Sequence, residues 1–198
     1  MSIPFDSLIQ SYIDQQVGIA TDFLPSALAD GLAANIRRLH ASDTLQSAGT
    51  GNNAEALQDK NIRGDSIHWL DASHHDAMED QFFLHMDAFI SYLNESCYAG
   101  ITGYEFHYTL YGKGSFYTRH VDQFRNDRKR KFSMIIYLNK DWKEGDGGEL
   151  CIYSKGSTRR IAPENGTSVF FASNETEHEV LVTNQPRLSI TGWLLGAG

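Results

Sequence analysis

His120 and Asp122 stand two residues apart in the stretch RHVD, and His178 follows far downstream in SNETEHEVL. Side chains of an extended strand alternate faces, so residues two apart point the same way. His120 and Asp122 can therefore share one cation. An H-x-D spacing alone arises often by chance, but His178, placed at the start of another short strand after a polar turn, adds a third donor. Two imidazoles and one carboxylate form the facial donor set of non-haem iron(II), which leaves coordination positions open. A structural zinc site would instead be closed by a fourth protein ligand.

A second group of residues suggests what approaches such a metal. Arg187 opens the strand-like run RLSITGWLL, where alternation puts it on one face with Ser189, Thr191 and Trp193 and leaves Leu188, Ile190 and Leu194 for the core. A guanidinium turned inward with that face requires an anion. In KFSMIIYLN, Tyr137 shares a face with Ser133 and Ile135. Its phenol can join Arg187 on a carboxylate while Ile135 packs against a methylene chain. A five-carbon dicarboxylate suits that combination; a structural carboxylate paired with Arg187 is the alternative.

These residues need a scaffold, and from Gly103 onward the sequence consists of short β-branched and aromatic runs punctuated by Gly, Asn and Pro: YEFHYTLY, FYTRHVD, KFSMIIYLN, GELCIYS, TSVFFAS, HEVLV and RLSITGWLL. Few helical stretches separate them, which favours an antiparallel sandwich or jelly roll over βαβ winding. Gly147 and Gly148 suit a tight turn before the run that begins at Glu149. Upstream, Leu28, Leu32, Ile36 and Leu39 recur at helical spacing after Pro25, and Phe82, Phe83, Met86, Phe89, Ile90 and Leu93 do so between His75 and Cys97. Two helices are expected to pack on the outside of a sheet. Between them, Ala48 to Asp65 is polar and glycine-containing and reads as a mobile loop.

A chain of 198 residues, 41% hydrophobic, can build one substantial core, and no repeat or linker marks a boundary. We expect a single domain over residues 1–198, with helical support and a lid in about 1–100 and the β core in about 101–198. The formal charge of −8 disfavours nucleic acid and anionic membranes as partners. With Cys97 and Cys151 as the only cysteines, no leader-like N-terminus and no long apolar run, a soluble cytoplasmic protein is expected.

Together, NIRGDSIHWL, RHVD, IIYLNKDW, GGELCIY, HEV and RLSITGW, spread over roughly Asn61 to Leu195, resemble the 2-oxoglutarate- and Fe(II)-dependent prolyl hydroxylases. The resemblance is strongest to the hypoxia-inducible-factor prolyl hydroxylases and their bacterial relatives. It implies a double-stranded β-helix with N-terminal helices packed on one sheet. His120, Asp122 and His178 would be the iron ligands, and Arg187 with Tyr137 would hold the distal carboxylate of 2-oxoglutarate. Tyr111, Ile135, Leu150 and Thr191 fall at co-substrate positions, and Arg63, Asp65, Trp69, Arg130 and Trp193 at substrate positions. It further implies O2 as oxidant, ascorbate as an assisting reductant, and a proline-containing protein or peptide as substrate, an elongation factor of translation being one implied partner. One departure is that Tyr111-Gly112-Lys113-Gly114 is a residue shorter than in the animal enzymes, which affects the placement of Tyr111.

Other features have plainer readings. The resemblance implies that Arg63-Gly64-Asp65 lies in a substrate-covering loop, an ordinary surface loop being the alternative; an adhesion motif is disfavoured, since nothing suggests secretion. Arg125, Arg128, Lys129, Arg130 and Lys131 form a basic run that is either a solvated turn or an attractor of acidic segments at the site mouth. His74, His75 and Asp76 read as a solvated helix start, and His40, His68, His85 and His107 as structural. Two other functions stay open: the same oxygenase chemistry on another protein residue, a small molecule or a nucleobase, and a non-catalytic metal- or carboxylate-binding sensor.

Overall fold

The computed structural model describes residues 5–49, 61–123, 129–154 and 156–197. Three α-helices are seen: α1 (Asp6–Gln15), α2 (Ser26–Ala41) and α3 (Ala77–Cys97). The upstream strands are β1 (Val17–Ala20), β2 (Gln46–Ser47) and β3 (Asp65–Trp69). Then follow β4 (Ile101–Tyr111), β5 (Tyr117–His120), β6 (Arg130–Tyr137), β7 (Leu150–Ser154), β8 (Ser157–Ile161), β9 (Ser168–Ala172), β10 (Glu177–Val180) and β11 (Arg187–Gly196). They form a seven-stranded sheet ordered β1-β9-β6-β11-β4-β3-β2 and a four-stranded sheet ordered β5-β10-β7-β8. The strand pairings within both sheets are antiparallel. This is the jelly-roll arrangement expected from the sequence.

Alternation along the central strands builds two cores. Met134 and Ile136 of β6, Phe106, Tyr108 and Leu110 of β4, and Leu188, Ile190 and Leu194 of β11 pack under the helices. The residues between them, among them Ile135, Tyr137 and Tyr111, face the smaller sheet and meet Leu150, Ile152 and Val180. Leu28, Leu32 and Ile36 of α2 and Phe82, Met86, Phe89 and Leu93 of α3 supply the outer layer, each set repeating every three or four residues. Both predicted helices thus lie on the expected face.

Several elements escaped the sequence reading, among them α1, β1, β3 and β8. α1 and β1 are short and carry weak periodicity, yet Val17–Ala20 adds the edge strand beside β9. β3 begins at Asp65, where the expected loop ends, and it pairs with β4 from Asp65↔Tyr111 to Trp69↔His107. β8, the polar STRRI run, is mostly exposed and has no apolar alternation to reveal it. Of the expected mobile loop, residues 50–60 lie outside the described residues, as do Arg125 and Arg128 of the basic run.

α3 starts at Ala77 because Asp76 caps it, its carboxylate accepting from the N–H of Met78 at 2.9 Å and of Glu79 at 3.2 Å. The same carboxylate receives Asn35 Nδ2 at 2.7 Å, tying α2 to α3 beneath the sheet. His75, expected inside the helix, precedes it in a left-handed conformation. Asp76→Ala is expected to lower the unfolding free energy by about 1 to 2 kcal/mol, measured by urea denaturation. Asp76→Asn, which keeps an acceptor, should lose less.

Candidate metal and dicarboxylate site

His178 and His120 are directly opposite each other where β10 pairs with β5. Their rings lie 4.3 Å apart between centroids. The pairing has a register shift: Val180 faces Tyr117, so three steps on β5 match two on β10. Such a bulge re-aims side chains next to functional sites. It brings Tyr117 into the cavity with His120, although simple alternation would send them to opposite faces. The tyrosine ring stacks on His120 at 3.6 Å, and Arg63 covers the other ring face at 4.4 Å. Asp122 lies beyond the strand in a bend, so period two was not what placed it.

Each histidine directs Nδ1 to a backbone carbonyl two residues earlier, His120 to Thr118 at 2.7 Å and His178 to Thr176 at 3.0 Å. Carbonyl oxygens only accept, so Nδ1 is the donor in each bond and Nε2 is the ring nitrogen that faces Asp122. Both Nε2 atoms converge on Asp122 Oδ1, at 3.3 Å and 3.6 Å. Burial lowers the His178 pKa, and although Asp122 opposes this, His120 adds to it, which keeps the ring neutral. Burial alone would raise the Asp122 pKa, yet His178, His120 and Ser133 outweigh it and hold the carboxyl far below the usual range. The result is one carboxylate oxygen and two imidazole Nε2 atoms gathered at one point, with the ligand atoms of all three within 4.8 Å of one another. This donor set fits a divalent cation, and the mixed nitrogen and oxygen donors fit iron(II).

Arg187 shares the cavity. It is 3% exposed, and among the described residues no carboxylate lies within ion-pair distance of it. Its Nε donates to the Gly148 carbonyl at 2.9 Å and its Nη2 to the Tyr137 hydroxyl at 3.2 Å. Gly148 has φ +75°, and a Cβ there would come within 3.0 Å of Arg187 Cδ, so glycine is required by both conformation and proximity. Tyr137 is fully buried behind the guanidinium. Its O–H remains able to donate to an anion that Arg187 binds.

The cavity holding these groups has a volume of about 380 Å³, within the range of small-molecule sites. Tyr111, Ile135, Leu150 and Thr191 line it, as the sequence suggested for a co-substrate wall. Arg63, Asp65, Trp69, Arg130 and Trp193 line it too. Arg63 grips Asp65 through Nε at 2.8 Å and Nη2 at 2.6 Å. Arg130 lies 3.4 Å over the Trp193 ring and pairs with Glu105 at 2.7 Å. The three metal-facing residues, Arg187 and the co-substrate and substrate candidates therefore lie on this cavity or, for Tyr137, directly behind it; Lys129 and Lys131 of the basic run do not line it.

Sequence reading missed Tyr117, hidden by the bulge, and His107, treated as structural. His107 lines the cavity, with Trp69 and Trp193 ring centroids at 5.0 Å and 5.7 Å. Its position four residues before Tyr111 on the same strand face was the available signal. His74 and Asp76 are not merely solvated: His74 Nδ1 meets the buried Glu79 at 2.9 Å.

Residues 106–195 match the family model of the 2OG-Fe(II) oxygenase superfamily. The crystal structure of a Pseudomonas putida prolyl-4-hydroxylase is 34% identical, with coverage of 96% of this chain and 97% of that one and a TM-score of 0.86. A Trichoplax adhaerens prolyl hydroxylase, solved with a hypoxia-inducible-factor peptide, has the same fold: 24% identity, 96% and 88% coverage, TM-score 0.83. Among curated relatives, a Xenopus laevis prolyl 3-hydroxylase is 32% identical over 78 residues, 34% of this chain and 15% of that protein. A PKHD-type hydroxylase of Picosynechococcus is 30% identical over 88 residues, 44% of this chain and 40% of that protein. The matched stretches thus span less than half of either curated relative.

Burial, with smaller contributions from its neighbours, lowers the His107 pKa to about 4. The unfolded chain then binds a proton that the folded chain refuses between the ordinary histidine value near 6.5 and about 4. Stability contributed by neutral His107 is complete above that window and lost as pH falls through it. Unfolding free energies measured across this range should fall less steeply for His107→Met than for the parent chain.

Proposed function

The chain belongs to the 2OG-Fe(II) oxygenase superfamily, and from that premise we propose that it is a dioxygenase that hydroxylates a proline residue of a protein or peptide. The observation that carries the reading is the buried Arg187, without a counter-charge among the described residues, in one cavity with His120, Asp122 and His178. A guanidinium so placed is strongly unfavourable unless a ligand supplies the anion. A metal-chelating dicarboxylate supplies it while reaching the three donors.

In this reading His120 Nε2, Asp122 Oδ1 and His178 Nε2 hold iron(II). Arg187 and the Tyr137 hydroxyl bind the distal carboxylate of 2-oxoglutarate, and Ile135 and Leu150 flank its methylenes. Iron with 2-oxoglutarate and O2 supplies oxidation of an unactivated C–H bond, with succinate and CO2 as co-products. The protein's part is positional. Because Nδ1 of each histidine is committed to a carbonyl, Nε2 is the atom that each ring offers to a cation. The packing of Tyr117 on His120, with Arg63 in turn over Tyr117, keeps water from that side.

The prolyl substrate is supported by the Pseudomonas putida likeness across nearly the whole chain. The cavity mouth also suits it: a pyrrolidine ring, apolar and lacking an N–H in a peptide, can lie against Trp69, Trp193 and His107. We extend the proposal to residues 1–198 acting as one oxygenase domain, to ascorbate as reductant, and to a translation elongation factor as a candidate protein substrate. No helix among the described residues is long and apolar enough to cross a membrane. Both cysteines are free, which supports a cytoplasmic setting.

Purified protein supplied with Fe(II), ascorbate, 2-oxoglutarate and proline-containing peptides should form succinate and add one oxygen to a proline, followed by mass spectrometry. Arg187→Met should reduce kcat/KM for 2-oxoglutarate by roughly 100-fold or more, as expected for losing a buried charge-assisted pair. Succinate formation unchanged in that variant would refute the carboxylate assignment. An added oxygen on a residue other than proline would keep the oxygenase and discard the prolyl reading.

A further inference from the structure

The two histidines and the carboxylate are held by different means. His120 and His178 are fixed by strand pairing and by their Nδ1 bonds to backbone carbonyls. Asp122 has neither device, because it sits past the end of β5. Its backbone neighbourhood is anchored next door, where the Gln123 N–H donates to the Ser173 carbonyl at 3.0 Å. That bond places the bend and leaves the carboxylate free to rotate about its own side-chain torsions.

The side chain is restrained by Ser133. Its hydroxyl donates to Asp122 Oδ2 at 2.6 Å, and Ser173 Oγ lies 2.9 Å from Ser133 Oγ. An ionised carboxylate only accepts, so the Ser133 proton points to Oδ2 and Ser173 must be the donor to Ser133. The direction of the chain is thus fixed: Ser173 to Ser133 to Asp122. Both serines are buried, with 1% and 0% exposure, so water does not compete for the hydroxyls. Ser133 is on β6, on the cavity-facing side with Ile135 and Tyr137, and Ser173 immediately follows β9, paired to β6 by the Ser173 N–H to Lys131 carbonyl bond.

We propose that Ser133, oriented by Ser173, is a positioning residue that engages Asp122 Oδ2 and so presents Oδ1 alone to the metal. The inference rests on the metal centre assigned above. Its consequence is stoichiometric: a carboxylate binding through one oxygen leaves three positions of an octahedral ion open, enough for a chelating co-substrate and O2. If Oδ2 were released, Asp122 could chelate through both oxygens and occupy one of those positions. Partners that orient metal ligands typically contribute 10- to 100-fold in affinity.

Cobalt(II), whose d–d absorption reports coordination number, is the probe. Titrated into metal-free parent protein, it should bind one equivalent; Ser133→Ala should weaken that binding roughly 10-fold or more and change the band shape. Ser133→Thr, which restores a hydroxyl, should recover both, and Ser133→Cys, similar in shape but a weak donor, should behave as the alanine variant. Ser173→Ala should show a smaller shift in the same direction, and it serves as the test if Ser133 variants do not fold. Parent-like affinity and spectrum in every folded variant would overturn the positioning role while leaving the metal centre intact. No cobalt binding by the parent, or binding left unchanged by His120→Ala, would instead overturn the metal centre and the inference with it.

Discussion

A guanidinium enclosed in protein, with no counter-charge among the described residues, is the constraint around which the cavity is arranged. Arg187 is buried at the first residue of β11, held from behind by the Gly148 carbonyl and the Tyr137 hydroxyl, neither of which carries charge. Both contacts fix direction, and neither neutralises the cation. Across the same cavity, two imidazoles and a carboxylate crowd their lone pairs together. One end lacks an anion and the other lacks a cation. A metal-bound dicarboxylate satisfies both ends at once.

The fold holds the two ends in register by distributing them over both sheets. Arg187, Tyr137, Ile135 and Ser133 belong to the central strands of the large sheet, whose opposite face is buried under α2 and α3. The histidines belong to the paired edge of the small sheet. Residues 62–64 connect the layers beside the site: the Gly64 N–H donates to the Phe116 carbonyl and the Thr118 N–H to the Ile62 carbonyl. The Arg63–Asp65 pair and the Arg63–Tyr117–His120 stack continue that connection into the cavity. Packing at the rim is therefore in direct contact with a metal-facing residue.

Much of this was legible in the sequence because period-two alternation is a strong signal on strands buried on both faces by different cores. β4, β6 and β11 obey it up to the register shifts at Leu194–Gly196, and for that reason Arg187, Tyr137, Ile135, Thr191 and Trp193 were placed on the correct side. It failed where the backbone departs from regular pairing. The bulge between β5 and β10 brought in Tyr117, and the bend after His120 positioned Asp122 by tertiary hydrogen bonds. β3 was hidden because its residues Asp65–Trp69 are polar or mixed and become a strand only by pairing with β4. His107 was overlooked as a lone histidine, although strand parity with Tyr111 pointed it into the cavity. The Ser173–Ser133–Asp122 chain joins segments 40 and 11 residues apart, a contact that local pattern cannot show.

The central claim concerns what balances Arg187 and the three metal-facing donors. A crystal structure of the protein with manganese(II) and 2-oxoglutarate, under anaerobic conditions, tests it most directly. The account predicts the metal on His120, Asp122 and His178 and the distal carboxylate on Arg187 and Tyr137. A protein carboxylate on Arg187, or 2-oxoglutarate bound away from this cavity, would contradict it.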